Sequence, residues 1–207
     1  MSQKAMVFID GGWLYRSRTT LFAKLGEENF EIDYAKLPKI FCEDVANRLD
    51  EDISLVRTNY FGTIPSARSG FNTSKQYAFY DFLERSCGYE TEIHEVDVGT
   101  DENWIKMSLA SSLLYYAAQP GAFDIALLIG DDPDYAPVLR RARLSYRLAS
   151  RSRVADFPLL WIDDHASEVR LVRERVTRVC KQCGREEETT WAGPEFFCVA
   201  CRGRHRK

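Results

Sequence analysis

Short apolar runs alternate with amphipathic stretches along most of this chain. Residues 5–10, AMVFID, run apolar into Asp10 and the pair Gly11-Gly12, which predicts a first strand with an acid at its carboxyl end. Trp13 to Leu25 reads as helical. Asp33 is a candidate N-cap for a helix through about Leu49, with Leu37, Ile40, Phe41, Val45 and Leu49 at helical spacing. Residues 53–61, ISLVRTNYF, predict a second strand, and GTIPSARSG a loop. Tyr77 to Cys87 carries Phe79, Phe82 and Leu83 in helical register, with Gly88 as its stop. Residues 89–96 alternate as a third strand, VGTDEN is a loop, and Trp104 to Ala118 is a helix bearing Ile105, Leu109 and Leu113. The unbroken apolar run Ile125 to Ile129 suits a fourth strand buried on both faces. A helix from Tyr135 to about Tyr146, a fifth strand at 157–162 (FPLLWI) and a helix from Ala166 to Val176 complete the pattern.

Strand and helix in alternation argue for an α/β architecture: a mostly parallel sheet with helices on both faces. Its strands then share one carboxyl edge, the usual place for a site in an open sheet. Asp10 ends the first strand. Asp131, Asp132 and Asp134 follow the fourth within four positions, around Pro133, and Asp163 and Asp164 follow the fifth. Two readings of the stretch DIALLIGDDPDYAP at 124–137 stand side by side. Asp132 is an N-cap before Pro133 among solvated loop acids, or the acids converge on a cation. Clustered carboxylates repel unless a cation neutralises them, and hard ions such as Mg²⁺ or Mn²⁺ prefer oxygen ligands. An ion so held positions a phosphodiester for hydrolysis.

Composition adds little until charge is placed along the chain. At 207 residues, 45% hydrophobic and 29% charged, the chain has room for one substantial core and a small appendage. The net charge of −3 hides an uneven distribution. Arg140, Arg141, Arg143, Arg147, Arg151 and Arg153 occur with no acid between them, and the chain ends RGRHRK. Such a run fits a polyanionic partner and equally a solvated helix face. No apolar run approaches ~18 residues and the N-terminus has no basic-then-apolar leader, so a cytoplasmic, non-membrane protein is expected.

FIDGGWLY at 8–15 resembles the opening motif of NYN domains, members of the PIN-like nuclease superfamily, usually Phe-Ile-Asp-Gly-Asn-Asn-Leu. LLIGDDPDYAP at 127–137 resembles their second motif, usually Leu-Ile-Ser-Gly-Asp-Ser-Asp-Phe-Val-Pro. The match runs without a gap and places Asp132 and Asp134 on the family's paired acids, with Asp131 where a glycine is common. The resemblance spans roughly residues 4–176. It implies a PIN-like, three-layer Rossmann-like domain and a metal-dependent ribonuclease in which Asp10, Asp132 and Asp134 hold Mg²⁺ or Mn²⁺. RNA is the implied partner ahead of DNA. The sequence departs at Gly12, where asparagine is usual, and at the middle motif, commonly Lys-Gly-Val-Asp. Asn103-Trp104-Ile105-Lys106 stands there, with a lysine at the acid position. Lys106 could neutralise the pocket in place of a metal or bind a substrate phosphate, and Asp101 or Glu102 could substitute for the acid. The alternative function is therefore a catalytically inactive nucleic-acid-binding or scaffold protein on the same fold. Lys106, Arg140, Arg141 and Arg143 are the candidate substrate contacts.

Beyond residue 176 the chemistry changes. Cys180-Lys-Gln-Cys183 and Cys198-Val-Ala-Cys201 form two CxxC pairs, each able to present two thiolates on a tight knuckle. Together they resemble a zinc ribbon over residues 177–207, following an α/β domain over 1–176. Four thiolates make a closed, structural Zn²⁺ site rather than a catalytic one. Trp191, Phe196 and Phe197 give the intervening hairpin something to bury. The basic tail fits nucleic acid, and a protein-docking or stabilising role is equally open. His94 reads as a surface residue, and His165 either approaches the acidic edge or belongs to a helix start. Cys42 reads as a small hydrophobe on a helix stripe, and Tyr60, Tyr77, Tyr80, Tyr115 and Tyr116 as core.

Overall fold

Successive residues of a strand face opposite ways, and on the first strand both faces are apolar. Ala5, Val7 and Ile9 pack into one cluster and Met6 and Phe8 into another, so residues 5–10 are all buried. This is β1, Gln3–Asp10. It lies at the centre of a six-stranded sheet of order β3-β2-β1-β4-β5-β6, with β2 at Ile53–Pro65, β3 at Glu90–Val96, β4 at Ile125–Ile129, β5 at Ser145–Ala149 and β6 at Leu159–Trp161. Every pairing is parallel. The computed structural model describes residues 2–23, 31–97, 103–130, 133–142, 145–149, 159–191 and 193–202, with backbone alone at 19–23, 133, 145–149 and 159. These residues fall into two units, Met1–Arg170 and Leu171–Lys207.

Helices cover both faces of the sheet in the first unit. On one side Leu14 of α1 (Gly11–Ala23), Leu37, Phe41 and Val45 of α2 (Leu37–Leu49) and Leu83 of α3 (Ser74–Cys87) meet the odd-numbered residues of β1 and β4. On the other, Ile105, Leu109 and Leu113 of α4 (Asn103–Ala117) and Leu139 of α5 (Ala136–Arg141) meet Met6, Phe8, Ala126 and Leu128. The stripe expected at 105–113 is the face that is buried, and the one expected at 37–49 is buried at Leu37, Phe41 and Val45 but exposed at Leu49. The result is an α/β fold of three layers around a parallel sheet, as the alternation of elements implies.

Strand order explains where a site can form. The chain leaves β1 for β2 and β3 on one side, then returns to β4 on the other. The gap between β1 and β4 is thus the point where the winding reverses, and ligands of doubly wound sheets bind outside the strand ends there. Asp10 ends β1 and Gly130 follows β4, with Ile9 paired to Ile129 in register.

Several expectations need correction. The helix expected to run to about Tyr146 ends at Arg141, and residues 145–149 form β5, a strand inserted between β4 and the strand read at 157–162. The last helix ends at Val169, not Val176: α6 is Ala166–Val169. The second strand continues through Pro65 into what was expected as loop. α1 starts at Gly11, directly on the end of β1. The Asp33 carboxylate accepts from the backbone N–H groups of Ala35 and Lys36 at 3.1 and 3.2 Å, so it caps the turn that leads into α2.

The second unit holds an antiparallel pair, β7 (Val176–Val179) and β8 (Glu186–Thr189), and a short helix α7 (Val199–Arg202). Among the described residues no helix is long and apolar enough to cross a membrane.

Candidate functional site

Among the described residues Asp10 is the one buried acid at the switch point, 3% exposed, and its position on β1 follows Met6 and Phe8 on the α4–α5 face. Both oxygens are held. Oδ1 accepts the backbone N–H of Trp13 at 2.8 Å, so Asp10 serves as N-cap of α1 at the positive end of its dipole. Oδ2 accepts the hydroxyl of Tyr135 at 2.8 Å. Tyr135 is itself 1% exposed and closes the helical turn Pro133–Tyr135 that begins three residues after Gly130. Two glycines make room. A Cβ on Gly130 would meet the Asp10 Cβ at 3.4 Å, and one on Gly11 would strike Cζ of Tyr60 at 2.4 Å. Tyr60 is buried among Tyr34, Phe79 and Tyr80 and has no room to yield.

Lys106 arrives from the first turn of α4. Its ammonium lies 3.1 Å from Oδ2 of Asp134, with the lysine mostly covered and the carboxylate mostly exposed. The edge therefore carries two contacts side by side in sequence: Asp134 paired with Lys106, and the next residue, Tyr135, bonded to Asp10. Asp131, Asp132, Glu102 and Arg143 lie outside the described residues. Arg140 and Arg141 stand exposed on the last turn of α5. Asp163 and Asp164 sit past β6, and the inserted β5 puts them two strand spacings, about 10 Å, from the β4 end. They are no part of this site. His165 turns away as well, to Asp44 at 3.1 Å and edge-on to Phe41 on α2. Sequence reading passed over the Tyr135 hydroxyl; the available signal was that a buried tyrosine requires a partner for its O–H.

The described acids at this edge, Asp10 and Asp134, offer the ligand type that hard divalent cations prefer, carboxylate oxygen. The two held oxygens of Asp10 each keep a second lone pair. Beside Asp134 a positive charge is already present in Lys106.

The four cysteines of the second unit form a different kind of centre. Their Sγ atoms all lie within 4.8 Å of one another, and those of Cys183 and Cys198 are 3.6 Å apart. Tetrahedral Zn²⁺ with Zn–S of about 2.3 Å sets sulfurs roughly 3.8 Å apart, so the group is placed to hold a metal such as zinc. The first knuckle closes through Gly184, whose φ of +68° lets its N–H reach the Cys180 carbonyl at 2.9 Å. The second is tied on by the Lys181 N–H donating to the Phe196 carbonyl at 2.9 Å. The backbone N–H of Cys198 points at Cys180 Sγ and holds that thiol down to about 6. Cys201, hydrogen-bonded to Cys198 and crowded by the other sulfurs, is pushed up to about 12. Four thiolates cannot share this volume without a cation.

A parallel α/β domain with an acidic switch point, followed by a four-cysteine unit, is the class of protein that this geometry defines. The chain belongs to the NYN domain family, whose model matches residues 4–150. That places it in a PIN-like nuclease family. It is also similar in fold to a crystal structure of a protein of unknown function from Vibrio parahaemolyticus RIMD 2210633. That likeness has a TM-score of 0.54 and 16% identity, and it covers 82% of this chain and 97% of that one. No curated protein matches the chain.

Proposed function

We propose that the chain is a divalent-metal-dependent ribonuclease whose site comprises Asp10, Asp132 and Asp134. The observation that carries this reading is the buried Asp10 carboxylate at the β1–β4 switch point, oriented through both oxygens by Trp13 and Tyr135. A cap alone needs one oxygen and no burial. Mg²⁺ or Mn²⁺, when bound, supplies Lewis-acid charge to a phosphodiester. Asp10 would present an ordered ligand, and Asp132 and Asp134, from the turn after β4, the remaining carboxylates. Lys106 supplies fixed positive charge beside Asp134 and would meet a substrate phosphate from the α4 side. RNA is the proposed partner, with Arg140, Arg141 and Arg143 and the basic tail adding charge for its backbone. The zinc ribbon would fold only with its metal, and would capture substrate or dock a protein.

Incubating the protein with labelled RNA and Mn²⁺, beside an Asp132→Asn variant, tests this. Cleavage by the native chain alone is expected. Equal cleavage by both, or none by either across single-stranded and structured substrates, sinks it. One observation favours a second reading, an RNA-binding protein without hydrolysis: the Lys106–Asp134 ion pair, which supplies internally the charge a cation would bring. Cleavage gained only in Lys106→Asp would establish that reading for the native chain.

A further inference from the structure

Trp104, on the first turn of α4, is 53% exposed, yet its ring is not loose. One face of the indole lies on the imidazole of His94, with centroids 5.7 Å apart and planes 27° from parallel. His94 is fixed in turn by Ser108 Oγ, 2.7 Å from Nε2, and by Glu92 Oε1 at 3.4 Å. A surface indole normally samples several rotamers; this one is braced against His94 while about half of the residue stays open to solvent. α4 runs against the strands, so its first turn stands at the carboxyl edge. The same turn supplies Lys106, which reaches Asp134. Met107 and Tyr115, each 63% exposed, follow Trp104 at i+3 and i+11, with exposed Ser111 between them. At 100° per residue these positions form one narrow stripe down the helix.

We propose that Trp104 is a stacking platform for an unpaired base of single-stranded RNA at the carboxyl edge, on the flank of α4 opposite Lys106. The inference rests on the reading of that edge as an RNA site and names its substrate class. Stacking on an aromatic face needs no particular base, because every base has one. It does need a base that is not already stacked. In an A-form duplex the bases cover one another and base edges lie in grooves that an indole plane cannot enter. The platform therefore selects single strands with little sequence preference. Met107 and Tyr115 extend the rail for bases farther along.

The test uses the whole 207-residue, zinc-loaded chain without added Mg²⁺ or Mn²⁺, so that binding is read apart from cleavage. The probes are a labelled oligouridylate of about 12 nucleotides and an RNA duplex of the same length. Trp104→Ala is expected to weaken single-strand binding about tenfold, the loss of one base stack, to leave duplex binding unchanged and to keep the native melting curve. Trp104→Phe is expected to recover most of the affinity. Unchanged single-strand affinity in Trp104→Ala, or an equal loss for duplex, overturns the proposal. So does a shift from dimer to monomer in light scattering without a change in RNA affinity, which would make the stripe a contact between copies. A parallel Mn²⁺ cleavage assay separates the two readings. Native cleavage with KM untouched by Trp104→Ala overturns the platform alone. Tenfold weaker single-strand binding with no native cleavage supports the platform and removes the nuclease.

Discussion

The hydroxyl of Tyr135 donates a 2.8 Å hydrogen bond to Oδ2 of Asp10, joining the turn after β4 to the end of β1 inside the protein. Tyr135→Phe removes the hydroxyl and little volume. A buried carboxylate oxygen then loses its donor, which costs about 1–3 kcal/mol. Chemical denaturation should show that loss with an unchanged slope. Cleavage should fall more steeply than stability does, because Asp10 can then turn about its remaining bond to Trp13. A variant as active and as stable as the native chain would contradict this role for Tyr135.

Lys106 and Asp134 make a partly exposed pair, and such pairs contribute less than about 1 kcal/mol. Lys106→Asp should therefore leave the melting temperature nearly unchanged while tightening Mn²⁺ binding at the edge by at least about tenfold, as an added carboxylate replaces a like charge. Calorimetry on the zinc-loaded protein reads this. Equal Mn²⁺ affinities in native and variant chains would show that Lys106 does not compete with a cation.

The order of β1 to β4, the buried helix stripes and Asp10 at a strand end were legible because long apolar runs and i, i+4 stripes survive any tertiary context. β5 was not. Its arginine-rich surroundings resemble a continuing solvated helix, although Leu144, Tyr146 and Leu148 alternate with polar or small residues at the period of a strand. That miss had a chemical consequence, since without β5 the acids past β6 fall beside β4 and inflate the site. The partners of Tyr135 and of His165 were illegible for another reason. They lie 125 and 121 positions away, and no local pattern encodes them. The four cysteines needed no tertiary information, because two CxxC pairs in one short segment specify their own geometry.

Removing zinc should act on one unit. Cys180→Ser, or a strong chelator applied to the native chain, is expected to abolish bound zinc and to unfold residues 171–207 while the parallel sheet keeps its protection in hydrogen exchange. Acid does the same, because ligating thiolates must be deprotonated. Retention of the native amide spectrum of β7 and β8 in the metal-free protein would contradict a structural metal.

Asp44 offers a test by pH. Burial opposes its charge, but hydrogen bonds from Arg48 and His165 prevail and hold its carboxyl below the ordinary range. A depressed folded value stabilises the protein above the ordinary carboxylate range, and that contribution is lost as pH falls through the folded value. Asp44→Asn should thus cost up to about 1 kcal/mol at neutral pH. The two melting curves should converge only once pH has fallen below the folded value, where native Asp44 is protonated as well. A difference independent of pH would mean that the contact acts through packing rather than charge.

The proposed nuclease requires a hard cation at the β1–β4 switch point. Anomalous diffraction from crystals grown with Mn²⁺ tests that requirement most directly. A manganese peak ligated by Asp10 and by carboxylates of the turn carrying Asp132 and Asp134 is expected, and it should be lost in Asp10→Asn crystals. An Mn²⁺-saturated crystal with no peak there, and Lys106 still seated on Asp134, would contradict the proposal.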